Sequence, residues 1–152
     1  MIIVTGAAGF IGSAIVRTLN ERGITDIVVV DSLGHGDKWR NLVNLRFLDF
    51  IHKSRFFDEL PKLPRADVVI HMGACSRTTK RDADYLMENN FIFSKRLFDW
   101  CVEKDCRIVY ASSAATYGDG SLGYDDGLTH ELKPLNMYGY TKKLFDQHVL
   151  AS

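Results

Sequence analysis

Nothing in this sequence draws it toward a polyanion or a bilayer. Nineteen basic residues are matched by nineteen acidic ones, so no overall field favours nucleic acid or an anionic membrane. Long apolar runs are missing as well. Ile27-Val28-Val29-Val30 is typical of the longest, whereas a bilayer span takes about 20 residues. No basic stretch precedes an apolar one at the N-terminus, so no signal peptide is expected. Cysteine is scarce: Cys75, Cys101 and Cys106 make an odd set without a C-x-x-C pair, which points to free thiols in a reducing cytosol. His71 and Cys75 stand four apart, but no second pair completes a metal site. His35, His52, His130 and His148 are scattered singly and read as surface or packing residues. Repeats, low-complexity tracts and interdomain linkers are absent too, so the 152 residues, 46% hydrophobic and 25% charged, are expected to form one soluble domain with a substantial core.

What is present is an alternation of strand-like and helix-like segments. An apolar run over 1–4 suits a parallel strand buried on both faces. Ile11, Ile15, Val16 and Leu19 then recur at helical spacing up to Gly23, a C-terminal cap. Further strands are expected at 27–30, weakly at 45–48, at 67–71 and at 107–111. A short helix holds Phe56, Phe57 and Leu60, ended by Pro61 and Pro64. A long helix is expected over 82–103, and another begins near Tyr138 after a polar, glycine-rich loop. The pattern implies a five-stranded parallel sheet with right-handed crossovers, hence an α/β fold.

Two motifs carry chemistry. Thr5-Gly6-Ala7-Ala8-Gly9-Phe10-Ile11-Gly12 follows the first strand and enters the first helix. Gly6, Gly9 and Gly12 allow a turn tight enough for close approach to a pyrophosphate, and the helix start offers free N–H groups. Asp31 ends the second strand 19 residues after Gly12, where a carboxylate would accept the ribose hydroxyls of a dinucleotide. That residue favours NAD, yet Ser32, Lys38 and Lys53 follow, and an ammonium at Lys38 or Lys53 would offset the 2′-phosphate of NADP.

The second motif is Tyr138-Gly139-Tyr140-Thr141-Lys142, which sets a phenol and an ammonium one helical turn apart. A free tyrosine ionises near pH 10, so a phenol acting as a base at about pH 7 needs roughly 4 kcal/mol of preferential stabilisation of its phenolate. An ammonium neighbour and a positive nicotinamide ring supply this. Ser113, after the fifth strand, is placed to hydrogen-bond a carbonyl oxygen as its charge changes. Tyr140 is the competing phenol, but Leu144 stands where its lysine would be.

These residues resemble the extended short-chain dehydrogenase/reductase family, marked by T-G-x-x-G-x-x-G, a serine after the fifth strand and Y-x-x-x-K. Gly73-Ala74-Cys75-Ser76 with Thr78-Thr79, and Pro134-Leu135-Asn136-Met137-Tyr138-Gly139-Tyr140, are similar to its ADP-heptose epimerase branch. The resemblance implies a Rossmann-type doubly wound parallel sheet, with the family's C-terminal substrate lobe missing from a chain about half the family's length. It implies NADP-dependent inversion at C6 of the heptose in ADP-D-glycero-D-manno-heptose, a lipopolysaccharide core precursor. Phe10 and Ile11 would lie at the diphosphate; Asp31, Ser32, Lys38 and Lys53 would hold the adenosine end. Met72, Gly73, Ala74, Cys75 and Ser76 would line the cofactor, with Asn89 approaching it. Tyr138 and Lys142 would be catalytic, Lys142 touching the cofactor too, with Ser113 assisting. Ser32 and Ala7 depart from the family's usual asparagine and glycine. Relatives of this kind associate through the long helix and the Y-x-x-x-K helix, which implies a homo-oligomer at full length. A truncated chain would lack the second acid/base group and turn over poorly alone. A hexose 4-epimerase or 4,6-dehydratase and a non-catalytic dinucleotide-binding module are the alternatives. A dehydratase would carry an acidic pair where Ala114 and Ala115 stand.

Overall fold

A computed structural model describes residues 1–152. The chain forms two compact units, one of residues 1–73 and 101–110, the other of 74–100 and 111–152. The first unit holds a five-stranded parallel sheet in the order β3-β2-β1-β4-β5, with β1 Ile2–Thr5, β2 Ile27–Asp31, β3 Asp49–His52, β4 Val68–His71 and β5 Arg107–Tyr110. β1 is central: Ile2 pairs with Ile27 on one side and Val68 on the other. Helix α1, Phe10–Glu21, supplies Val16 to a core that includes Val4, Ala7, Ile27 and Val29. All five residues of β2 are buried, which explains its unbroken apolar run.

α1 stops for a local reason. Gly23 adopts φ +79°, its N–H donates to Asn20 O at 2.9 Å, and Ile24 N–H donates to Leu19 O at 2.9 Å. This is the paired closure of a Schellman motif. Cys101 and Cys106 are free thiols in this unit, and burial pushes the Cys101 thiol up to about 12.

Two expectations need correcting. The third strand is Asp49–His52, not 45–48. It is an outer strand whose ends are exposed Asp49 and His52, so its apolar signal is weak. Leu45 and Phe47, which gave the stronger signal, pack on the core from the lead-in segment. In the short helical region, α2 Phe56–Glu59 runs into a 3-10 turn at Leu60–Lys62. Pro61 therefore sits inside the turn, where its missing N–H costs nothing. The chain becomes extended at Leu63, the residue before Pro64.

In the second unit the long helix is composite. Asp82 caps it by accepting from Tyr85 N–H at 3.0 Å. It then runs as α3 Ala83–Leu86, a π-helical turn Met87–Ile92 and α4 Phe93–Glu103; its last residues belong to the first unit. α5 spans Met137–Leu150, capped by Asn136, whose Oδ1 accepts from Gly139 N–H at 2.8 Å. Phe98 meets Phe145 edge-on, with ring centroids 6.2 Å apart.

Gly23→Ala isolates the backbone contribution, since an added Cβ meets nothing within 4 Å. Chemical denaturation should show a loss of about 1 kcal/mol from the left-handed conformation alone; an unchanged midpoint would contradict it.

Candidate functional site

In the first unit the site begins where β1 meets α1. Gly6 has φ +66°, and a Cβ there would lie 2.7 Å from Gly73 N. A Cβ on Gly12 would lie 2.1 Å from Gly6 O. Backbone thus packs on backbone at the carboxyl ends of β1 and β4, which are neighbours in the sheet. In such sheets this reversal of strand order is where ligands bind. Gly9 precedes α1 without a side-chain cap, leaving the helix's first turn to an outside acceptor. Phe10 and Ile11, 89% and 61% exposed, stand at the same end.

Thr5, quoted only as the start of the motif, is buried and links the two strand ends. Its Oγ1 accepts from Gly73 N–H at 3.1 Å and shares a 2.6 Å hydrogen bond with His71 Nδ1. His71 is thereby a buried strand residue. Met72 N–H donates to Thr5 O at 3.1 Å.

Asp31 is 7% exposed and works harder than its sequence position suggested. Its Oδ2 accepts from Ala8 N–H at 2.8 Å; its Oδ1 accepts from Ser32 N–H at 2.7 Å and pairs with the Lys38 ammonium. Oδ1 is filled, while Oδ2 retains an acceptor site. Lys38 also reaches Ser32 O at 3.3 Å, and Lys53 donates its backbone N–H to Asp31 O at 3.0 Å. The predicted adenosine-end residues Asp31, Ser32, Lys38 and Lys53 are therefore gathered. Asn41, which the motif spacing did not indicate, donates to Ala8 O at 2.8 Å.

The second unit carries the phenol and the ammonium. Tyr138 is half-buried on α5, and Lys142, one turn on, is 6% exposed. The Lys142 Nζ donates to Ala111 O at 2.8 Å. Burial pushes its pKa down, and the charge of Asp146 pushes it back up. Ser113 is half-buried, and its Oγ accepts from Ala115 N–H at 3.2 Å. Gly139 allows α5 to touch this segment: a Cβ there would lie 2.5 Å from Ala115 O.

Asn89 and Asn90 lie on the π turn. Asn90 is fully buried. Its Oδ1 accepts from Cys75 N–H at 2.7 Å, and its Nδ2 donates to Cys75 O at 3.1 Å and to Thr141 Oγ1 at 3.3 Å. Half-buried Asn89 donates to Asn90 Oδ1 at 3.1 Å. The asparagine pair was visible in the sequence, but a π turn is not, so the structural weight of Asn90 was hidden. Ala74 and Cys75 are half-buried and Ser76 is exposed.

The model of the NAD dependent epimerase/dehydratase family matches residues 2–152. A Nitratidesulfovibrio vulgaris protein named ADP-L-glycero-D-manno-heptose-6-epimerase is 60% identical over 96% of this chain and 47% of its own length. A Fusobacterium nucleatum protein of the same name is 54% identical over 96% of this chain and 46% of its own. The chain thus spans about half the length of the curated relatives it matches. Among solved structures, the Helicobacter pylori ADP-L-glycero-D-manno-heptose-6-epimerase superposes with a TM-score of 0.84 at 30% identity, over 99% of this chain and 50% of that one. The five-stranded sheet is accordingly of the Rossmann type.

Lys142 yields a pH test. A depressed folded-state pKa means that the unfolded chain holds the proton more tightly, so stability rises with pH between the folded value and about 10.4. The contribution is lost as pH falls through the folded pKa. Lys142→Met removes this dependence, so the change in denaturation midpoint on going from pH 7 to pH 10 should be less positive, or more negative, than in the parent; an equal change would refute it.

Proposed function

Because the chain belongs to the NAD dependent epimerase/dehydratase family, we propose that it supplies the cofactor and proton-transfer machinery of an ADP-heptose 6-epimerase. In a protein of the relatives' full length, the reaction inverts C6 of the heptose in ADP-D-glycero-D-manno-heptose, for lipopolysaccharide core synthesis. The 60% identity to a protein of that name, over 96% of the chain, carries the reading.

The residues fit a dinucleotide. Gly6, Gly9 and Gly12 let the turn between β1 and α1 close on the chain's own backbone, and the uncapped start of α1, with Phe10 and Ile11, would take the diphosphate. The remaining acceptor site of Asp31 would serve a ribose hydroxyl. NADP is the proposed form: the Lys38 ammonium already neutralises Asp31, which lowers the repulsion a 2′-phosphate would meet, with Ser32 and Lys53 beside it. Met72, Gly73, Ala74, Cys75, Ser76 and Asn89 complete the proposed lining.

When bound, the cofactor supplies a reversible hydride acceptor. Tyr138 would take the C6 hydroxyl proton as the carbon gave up hydride, which would leave a ketone on the sugar. Lys142 holds positive charge beside the phenolate, and Ser113 offers its hydroxyl to the sugar oxygen. Inversion follows when the ketone regains hydride on its other face and a proton on oxygen, with no net redox.

Calorimetry on the 152-residue chain should detect NADP binding, and Lys38→Ala should weaken it about tenfold while changing NAD affinity less. Absence of binding by either dinucleotide, or an equal loss for both, would count against the assignment. In a protein of the relatives' length, Tyr138→Phe should lower kcat by at least about 100-fold yet keep cofactor affinity; full activity would exclude the phenol as base.

A further inference from the structure

We infer that Asp146 is a positioning residue: through Ser112 it docks the segment carrying Ser113 onto α5, and it sets a carboxylate one helical turn from the Lys142 ammonium. The inference rests on the proposed role of Lys142 and assigns a duty to a residue outside the Y-x-x-x-K motif.

The geometry is that of a clamp. Lys142 and Asp146 are four apart on α5, hence on one face. Each grips a neighbouring residue of the same segment. The ammonium donates to Ala111 O at 2.8 Å, and half-buried Asp146 accepts from Ser112 Oγ at 2.5 Å through its Oδ2. Ser113 comes next in the chain, and its Oγ in turn caps the turn Ala114–Tyr117. Two side chains one helical turn apart thus fix the entry to the serine's position, one by donating a hydrogen bond and one by accepting one.

The electrostatics point the same way. A lysine this buried is driven toward its neutral form, and the charge opposing that shift is Asp146. The other ionisable groups around α5 are Asp84, Tyr85 and Glu88 from α3 and the π turn, and Tyr117 from the 114–117 turn. α4 adds Lys95, Arg96 and Asp99; of these Asp99 is engaged by Lys95 and by His148 of α5. His130 lies where Lys143 reaches its carbonyl, and Tyr138 and Tyr140 share α5 itself. A neutral Lys142 would lose its attraction for a phenolate and donate only a weaker bond to Ala111 O, so a carboxylate that favours the charged form strengthens both.

The test reads the Lys142 ammonium directly by nitrogen-detected NMR titration of the 152-residue chain, its signal assigned by disappearance in Lys142→Met. No substrate or cofactor is needed, so failure here is distinct from failure of the proposed reaction. Asp146→Asn should move the Lys142 midpoint to lower pH, and Asp146→Glu should bring it back toward the parent. Coincident midpoints for Asp146→Asn and the parent overturn the inference, even if thermal stability falls. If Asp146→Asn does not fold, Asp146→Ser decides: a lowered midpoint supports the clamp and an unmoved one overturns it.

Discussion

The contact on which the rest of the first unit depends is the approach of bare backbone to bare backbone between Gly6 and Gly73. A carbon added at Gly6 would lie 2.7 Å from Gly73 N, so the ends of β1 and β4 can close only if Gly6 interposes no side chain; one added at Gly73 would press on Thr5 Oγ1 at 3.0 Å. Thr5 then bridges the same two strands through its hydroxyl, and Asp31 ties the following residue pair to β2 through Ala8 N–H. The glycine turn after β1 is therefore the meeting place of three parallel strands rather than a loop set on top of them. Its polar links are buried, so each is costly to break, and that rigidity is what preorganised anion binding needs.

The second unit solves a different problem, that of keeping polar groups in a packed interior. Asn90, Thr141 and Lys142 are all buried there, and every buried side-chain nitrogen and oxygen has a partner. The π turn is the device that makes this feasible for Asn90. One extra residue per turn re-aims a side chain without ending the helix, and here it delivers an amide to the main chain of Cys75. Lys142 shows the cost of such placement. Burial works against its charge, the arrangement expected where function rather than stability chose the residue.

Much of the fold was legible because strands buried on both faces leave near-continuous apolar runs, as in Ile27 to Val30, and because Gly23 marks a helix end unambiguously. β3 was misplaced because an outer strand need not be apolar, and its neighbours Leu45 and Phe47 looked more strand-like than Asp49 or His52. For the candidate site, the motif spacings pointed to Gly6, Gly9, Gly12, Asp31, Tyr138 and Lys142. They gave no hint of Asn41, Asn90 or Asp146, each of which binds an atom at least 15 residues away. Spacing rules see neighbours along one helix or turn. Side chains that bind distant main-chain atoms leave no local signature.

The Asn90 clasp has an evolutionary implication. It grips Cys75 only through peptide N–H and carbonyl atoms, which every residue except proline possesses. Side chains along this stretch can thus drift without disturbing the path of the chain, whereas Asn90 itself cannot become the near-identical aspartate, which as an anion offers no hydrogen to a carbonyl. With the held atoms common to nearly all residues and the holder's chemistry fixed, substitutions at Cys75 leave this path of the chain in place, while those at Asn90 do not.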